Sequence, residues 1–553
     1  MGLVTAASLA VVLLADSVSC FSVSSSARLN VRTKYGNSNP LRSLETASSD
    51  LDTEVKDDGT EKRRILGSQE LLMLPRQYSP NPDVTFPQMN HVSCTVLSGT
   101  PSENVLRQAI DEAIATHPLL RCRVEGDGEP DKRIDLFQMV RQGEPNPCTF
   151  VAPQESFSST DVLRTITVVG DDRAAIDQSW EESFKKDLDD GSWCDTDGGP
   201  LWKLEWHKPK EACPTKPSAL LLSFNHAISD QSSANMLIDE ILGNVAQIEK
   251  EGKVTKAAVE QDMPMALEDS VLGENSRFSD IQIEGFNAGT LKYVAGKAAE
   301  GFKSPVILPD SDSTEGGGGL LGALTIISGN AAGGENEESE ERRSTVQFRK
   351  LSEKATSALL KKCRENEVAV TNALTAAVTL TASDFIDNGL GSEDKSRNYK
   401  VLQSLDMRRF GKQIDKGETV ACMAGSMDLI HGPVADKSGE NLRNDPSPEH
   451  LETFWSLARE GKEQTTAFIG SDGPSDAVRV FDFAMTISDM NNLVDLTAKS
   501  KGSQGRAYSA GVSNVGVYDR QAAVQREGQK ERETLQVSLA FKTNVFVKEK
   551  LTA

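Results

Sequence analysis

The chain has 553 residues, with 60 lysines and arginines against 82 aspartates and glutamates, and a formal net charge of -22. This length exceeds what one hydrophobic core usually supports, so we expect more than one folded unit. Nucleic-acid binding depends on clustered basic residues, and the acidic excess argues against that class. The eight cysteines have irregular spacings and no C-x-x-C pair, which predicts reduced thiols rather than a metal site or disulfide framework.

Residues 1–20 have the pattern of a signal peptide. The apolar run LVTAASLAVVLLA is short for a membrane span, and VSC places small residues at a cleavage position. Residues 21–64 are predicted to be a transit peptide and a disordered segment, because they begin with the serine- and arginine-rich FSVSSSARLNVR and become polar and charged after residue 45. The two signals in series resemble the bipartite presequences of algae with secondary plastids. We therefore expect a plastid protein; a secreted protein is the alternative.

Residues 65–250 are predicted to form an α/β half. PQMNHVSCTVLSG indicates a strand, and TPSENVLRQAIDEAIATH indicates an amphipathic helix capped by Thr100, with Glu103 completing a capping box. HPLLRCRV is predicted to be a strand with Arg121 on the face opposite Leu120 and Val124. GGPLWKLEWH predicts a further strand that leads into the next apolar run.

That run, residues 219–225, indicates a buried strand, and apolar residues at helical spacing follow it from Ala234 to Leu242. The sequence HAISD lies between them and places His226 and Asp230 on a strand-to-helix turn. Side chains on such turns can be held by a packed scaffold and still meet a ligand. The alternative is a helix cap, with Ser229 or Asp230 accepting backbone N–H groups and His226 serving a structural purpose.

Residues 251–345 are predicted to be a crossover and linker, because periodicity fades and a Gly- and acid-rich stretch ends the segment. Residues 346–553 form a second α/β half. STVQFRKL predicts a strand, SEKATSALLKKCRE a helix, VTNALTAAVTLTASDFI a helix capped by Thr371, and YKVLQSLDMRR a strand. The alternation in TLQVSLAFKTNVFV predicts a half-buried antiparallel strand. Two stretches before it, VRVFDFAMTIS and AYSAGVSNVGVY, are not assigned to a helix or a strand.

Several of these stretches, in this order, resemble the chloramphenicol acetyltransferase-like superfamily of HxxxD acyltransferases. The stretches are AIDEAIATHPLLRCRV, GGPLWKLEWH, HAISD, VTNALTAAV, SLDMRR and VSNVGVY. The superfamily includes condensation domains, alcohol acetyltransferases and polyketide-associated acyltransferases. The resemblance implies an α/β fold of two subdomains that flank a central tunnel, and it implies acyl transfer from a thioester to an alcohol or amine.

The resemblance also implies roles for particular residues. His226 would be the general base, which suits an imidazole because its ordinary pKa lies near neutrality. Asp230 would orient the turn by pairing with an arginine, Arg408 as first choice and Arg121 as second. Ser513 and Asn514 would donate hydrogen bonds to the oxyanion, although an Asn-x-Gly turn often exists for its backbone geometry.

The expected donor is acyl-CoA as co-substrate, with no permanently bound cofactor and no metal. Arg408, Arg409 and Lys412 form a basic cluster that would bind its phosphates, unless it is only a solvated turn. The expected acceptor is a hydroxyl, or an amine, of a small or lipophilic molecule such as a plastid pigment, and we expect a monomer.

Two residues depart from the superfamily pattern. Asn225 replaces the first histidine of the double-histidine condensation signature, so a peptide synthetase is disfavoured. Gln231 stands where glycine is usual, and a glutamine at a position that needs positive φ would strain the turn. This departure and the long Gly- and acid-rich stretch raise an alternative function, an inactive acyltransferase-like binding or scaffold module. The remaining histidines have no partner spacing and are interpreted as structural: His91, His117, His207, His431 and His450.

Overall fold

The computed structural model describes the folded parts of the chain from residue 61 onward. The described residues are 61–74, 90–126, 130–134, 140–145, 148–153, 157–195, 198–211, 213–254, 258–273, 292–293, 295–297, 343–390, 398–411, 419–434, 438–487, 508, 510–516 and 536–543. Residues 1–60, most of the Gly- and acid-rich linker and Lys412 lie outside them, whereas residues 61–64, expected to be disordered, form part of a strand. No helix in these ranges has both the length and the apolar character needed to cross a membrane.

The N-terminal part is a mixed α/β arrangement. Its elements are β1 (Glu61–Ile65), α1 (Ser68–Met73), β2 (Asn90–Leu97), α2 (Glu103–Thr116), a 3-10 turn (Pro118–Arg121), β3 (Arg123–Glu125), β4 (Pro130–Ile134), β5 (Val140–Pro145), β6 (Thr149–Pro153), α3 (Ser159–Val162), β7 (Leu163–Val168), α4 (Arg173–Asp189), β8 (Trp202–Pro209), β9 (Ser218–Asn225), α5 (Gln231–Glu251) and α6 (Leu267–Leu272).

A four-stranded sheet of order β2-β9-β8-β7 organises this part. β9 pairs antiparallel with β2 and β8, and β7 pairs parallel with β8. One face packs against α2 and α5 in a core that contains Leu106, Leu237 and Trp202. On the other face, Trp180 of α4 packs near Ala219. Because both faces are covered, β9 is buried over its whole length, which explains its mostly apolar sequence.

The C-terminal part repeats the mixed architecture. Its elements are β10 (Arg343–Lys350), α7 (Glu353–Glu365), α8 (Val370–Leu390), β11 (Tyr399–Asp406), a 3-10 turn (Met407–Arg409), β12 (Ala424–His431), α9 (Ser438–Asn444), α10 (Pro448–Ile469), α11 (Gly473–Ile487), β13 (Ala510–Val512) and β14 (Gln536–Thr543). β11 lies between β12, antiparallel, and β13, parallel, while β10 pairs antiparallel with β14.

The N-terminal and C-terminal parts contact each other through aromatic rings and a side-chain hydrogen bond. Phe348 of β10 packs edge-on against Trp180 and Phe184, with ring centroids 4.8 and 5.2 Å away. The Ser68 hydroxyl donates to the Asp482 carboxylate over 2.6 Å. Residues 478–487, VRVFDFAMTI, belong to helix α11, which packs against the N-terminal part. Its β-branched and aromatic residues by themselves favour a strand, and tertiary packing decides the outcome.

Three local predictions were wrong. Ser102 rather than Thr100 caps α2, and the Thr100 hydroxyl donates to the Lys216 carbonyl instead. Residues 118–121, expected to begin a strand, form a 3-10 turn instead, because Pro118 fixes a φ angle that suits a helical start. The strand itself is only Arg123–Glu125. Thr371 lies inside α8, which begins at Val370, and does not cap it. The strands at 343–350 and 399–406 and the helix at 353–365 are confirmed.

Candidate active site

The HAISD segment forms the turn between β9 and α5, as predicted. The Asn225 side-chain oxygen accepts the Ala227 backbone N–H over 2.9 Å, which closes the turn after the strand. Asp230 Oδ1 accepts the Ser233 backbone N–H over 2.9 Å and caps α5. The cap interpretation of Asp230 is thus correct, but it describes only one of the two carboxylate oxygens.

The other oxygen, Asp230 Oδ2, joins the turn to the C-terminal part. It accepts from Arg408 Nη1 over 2.7 Å and from the Met423 backbone N–H over 2.8 Å. Arg408 Nη2 also donates to Ser233 Oγ, over 2.8 Å, and to the Ala421 carbonyl, over 3.0 Å. The Asp230 and Arg408 side chains are only 8% and 9% exposed, so water competes little for these bonds.

The ionised form of Asp230 is favoured within this network. Burial by itself raises the pKa of a carboxyl group, but the charge of Arg408 and the hydrogen bonds from Arg408, Ser233 and Met423 outweigh burial and lower the pKa of Asp230. Arg121 lies elsewhere: it donates to the carbonyls of Pro153 and Ile114 and pairs with Glu260.

His226 presents a half-buried ring just after the last residue of β9. Its Nδ1 lies 3.6 Å from Cys422 Sγ, on the segment that Asp230 and Arg408 hold in place. Burial lowers the pKa of His226, although backbone carbonyls and the charge of Asp230 partly oppose this effect. The imidazole is therefore neutral near pH 7, which is the form that can accept a proton.

His91, which was interpreted as structural, lies beside the turn. Its ring centroid lies 5.5 Å from that of His226. Neither His91 nor Cys422 could be found from sequence, because no spacing links them to HAISD: sheet pairing brings His91 there, and packing of the C-terminal part brings Cys422. His117, His207 and His431 are buried and bonded to Glu240, Ser179 and Glu460, respectively, on other elements.

Gln231 shows no sign of the strain expected for a residue that replaces glycine. It is the first residue of α5 and is not among the described residues with positive φ. Its side-chain nitrogen donates to Ser93 and Asn235, each over 2.9 Å. One of the two observations that motivated an inactive scaffold module is therefore removed; the other, the Gly- and acid-rich stretch, lies mostly outside the described residues.

The remaining predicted residues have different surroundings. Asn514 Nδ2 donates to Thr371 Oγ1 over 2.8 Å, while Oδ1 accepts the Gly516 N–H, so its amide stabilises a turn that begins beside the exposed Ser513. Arg409 is exposed, whereas the Arg408 guanidinium is engaged by Asp230 and Ser233. Within the described ranges no cluster of three His, Cys, Asp or Glu side chains is arranged to hold a metal ion.

Comparisons with solved structures identify the fold. No protein-family model and no curated protein sequence matches the chain. The trichothecene 15-O-acetyltransferase from Fusarium sporotrichioides is similar in structure, with a TM-score of 0.52 and 12% identity, over 77% of this chain and 76% of that chain. The first condensation domain of the calcium-dependent antibiotic synthetase has a TM-score of 0.50 and 14% identity, over 87% and 85%. This is the chloramphenicol acetyltransferase-like fold.

The chloramphenicol acetyltransferase-like fold consists of two α/β lobes, as the sequence predicted. In this chain the HAISD turn belongs to one lobe, and Arg408, Ala421 and Met423 belong to the other. The bonds between Asp230 and the latter group therefore connect the two lobes beside His226. At these identities the similarity concerns the fold, and the chemistry has to be argued from the side chains.

Proposed function

We propose that the protein transfers an acyl group from acyl-CoA to a hydroxyl, or an amine, of a small or lipophilic acceptor, with His226 as the general base. The observation that carries the proposal is the neutral, half-buried imidazole of His226 on a turn fixed by the Asp230–Arg408 pair. A base must be unprotonated and held in place, and this arrangement provides both conditions.

In the proposed reaction the acceptor oxygen attacks the thioester carbonyl carbon while His226 takes the hydroxyl proton. The tetrahedral oxyanion then collapses, the carbon–sulfur bond breaks, and the departing CoA thiolate takes the proton from the imidazolium. Because Nδ1 lies next to Cys422 Sγ, we assign Nε2 as the nitrogen that exchanges the proton with the acceptor. Asp230 takes no proton in this scheme, since its carboxylate is bonded to Arg408 and to two backbone N–H groups.

Exposure and existing hydrogen bonds guide the choice of residues for the oxyanion and for CoA. Ser513 is exposed and is the better candidate donor for the oxyanion, because the Asn514 amide is already bonded to Thr371 and Gly516. Within the basic cluster, Arg409 is described and exposed, and we assign it to the phosphates of CoA. Lys412, which lies outside the described residues, is a second candidate. The protein is expected to act as a monomer in a plastid.

The test incubates the mature protein with labelled acyl-CoAs of different chain length and with alcohol acceptors, including a plastid extract. We expect acyl ester and free CoA to form, and we expect His226→Ala to lower the rate by roughly two to four orders of magnitude. His450→Ala is the matched control, because the exposed contact of the His450 ring is with the nearby Asp445 carbonyl at the start of α10, away from the HAISD turn. Full activity of His226→Ala would refute the assignment of the base.

A further inference from the structure

Gln231 connects the catalytic turn to the neighbouring strand β2. Its Nε2 donates to Ser93 Oγ and to Asn235 Oδ1, both over 2.9 Å. Its Oε1 lies 3.4 Å from His91 Nε2. Since an amide oxygen only accepts hydrogen bonds, His91 Nε2 must carry the hydrogen in this contact. Gln231 thereby fixes both the position and the tautomer of the His91 ring.

His91 is also the third ring of a stack that runs from the core to the catalytic turn. Trp202 stacks on Phe224 with centroids 5.9 Å apart, and Phe224 stacks on His91 at 5.7 Å. These residues are cross-strand partners: Phe224 lies opposite Trp202 on one side and opposite His91 on the other. The ring of His226, two residues beyond Phe224, lies next to His91 at 5.5 Å and an interplanar angle of 35°.

The His91 ring does not compete with His226 for a proton. Burial and, to a lesser degree, the charge of a protonated His226 lower the pKa of His91 to about 4. A neutral ring next to His226 restricts its rotation by contact and adds no positive charge that would weaken the base. Cys422 lies against Nδ1 of His226 at 3.6 Å, so contacts with the imidazole come from both lobes.

We propose that Gln231 and His91 form a positioning unit for His226, in which Gln231 holds the His91 ring and that ring fixes the orientation of the base. The proposal rests on the proposed function. It explains why a glutamine is compatible with the position after the motif aspartate. A glycine there would retain the helix start, which Asp230 caps, but would remove the link to β2.

The kinetic test is a double-mutant cycle in the full chain. We expect Gln231→Gly and His91→Ala each to lower kcat by roughly tenfold or more with little change in the KM of the acceptor, because a misplaced catalytic group loses rate rather than binding. His91→Phe keeps a ring in the stack but loses the bond to Gln231, so it should lose rate to a similar extent as Gln231→Gly. Gln231→Gly in the His91→Phe background should have no further effect, since its partner nitrogen is already absent. An equal loss in both backgrounds would overturn the proposal.

A second readout does not depend on turnover. Histidine ring NMR with selectively labelled protein, assigned from His91→Phe and His226→Ala, follows the His226 signal directly. We expect Gln231→Gly and His91→Ala to shift that signal, and His450→Ala to leave it in place. An unmoved His226 signal in folded Gln231→Gly and His91→Ala proteins overturns the positioning role. If the wild-type protein transfers no acyl group, the proposed function fails, whereas the NMR result still decides whether Gln231 and His91 orient His226.

Discussion

Arg408 Nη1 lies 2.7 Å from Asp230 Oδ2, across 178 residues of sequence, and both side chains are at least nine-tenths buried. This contact joins the HAISD turn of one lobe to the 3-10 turn that follows β11 in the other lobe. Removing one partner of such a pair leaves a buried charge without its counterion.

The first prediction concerns the energy of this pair. We expect Asp230→Ala to lower the free energy of unfolding by about 3–5 kcal/mol. Asp230→Asn should cost less, because the amide oxygen still accepts a hydrogen bond. The double variant Asp230→Ala/Arg408→Ala should be more stable than the sum of the two single losses predicts, as contacting residues are coupled. Denaturant unfolding of the four proteins measures the coupling, and strict additivity would contradict it.

The second prediction concerns acid stability. The pKa of Asp230 is lower in the folded protein than the value of about 3.9 in an unfolded chain. Its stabilising contribution is therefore complete above about pH 4 and is lost as the pH falls through the folded pKa. We expect the stability difference between wild type and Asp230→Asn to be constant from pH 5 to 7 and to shrink below about pH 4. Thermal melts across this range test the sign, and a difference that grows in acid would refute it.

The third prediction concerns the pH dependence of transfer. Because burial lowers the pKa of His226, the acid limb of kcat/KM should have its midpoint below the ordinary histidine value of about 6.5. The rate should be flat between about pH 7 and 8, where the imidazole is neutral. A pH–rate profile at saturating and limiting acceptor provides the measurement, and a midpoint above neutrality is incompatible with a desolvated base.

The fourth prediction concerns thiol reactivity. Burial raises the pKa of Cys422 well above that of an ordinary thiol, whereas hydrogen bonds from Thr215 lower the pKa of the more accessible Cys213. At pH 8 iodoacetamide should therefore label Cys213 at least about tenfold faster than Cys422 in the native protein. Peptide mass spectrometry against time measures both rates, with urea-unfolded protein as the control in which the difference disappears. Equal rates in native protein would mean that Cys422 is exposed.

The fifth prediction concerns the presequence, which lies outside the described residues. A reporter fused to residues 1–47 should enter the plastid of an alga with a secondary plastid. Phe21→Ala should hold the reporter in the secretory route, because Phe21 directly follows the predicted cleavage point. Fluorescence microscopy separates the two locations. Secretion of the unchanged fusion would favour the alternative of a secreted protein.

Local patterns determined much of this protein from sequence alone. The apolar run before His226 and the helical spacing after Asp230 predicted the strand, the turn and the helix, because burial of one strand and one helix face imposes those periods. The ordered set of stretches that resembles the HxxxD acyltransferases, HAISD among them, implied the two-lobed fold that the structural comparisons show.

The tertiary structure decided which distant side chains meet. Two arginines were possible partners of Asp230, and only the packing of the second lobe brings Arg408 to it, while Arg121 faces Glu260. The positions of His91 and Cys422 beside His226 were likewise absent from any sequence pattern. Periodicity reports which face of an element is buried, whereas contacts between elements depend on how sheets pair and lobes dock, which short-range spacing does not encode.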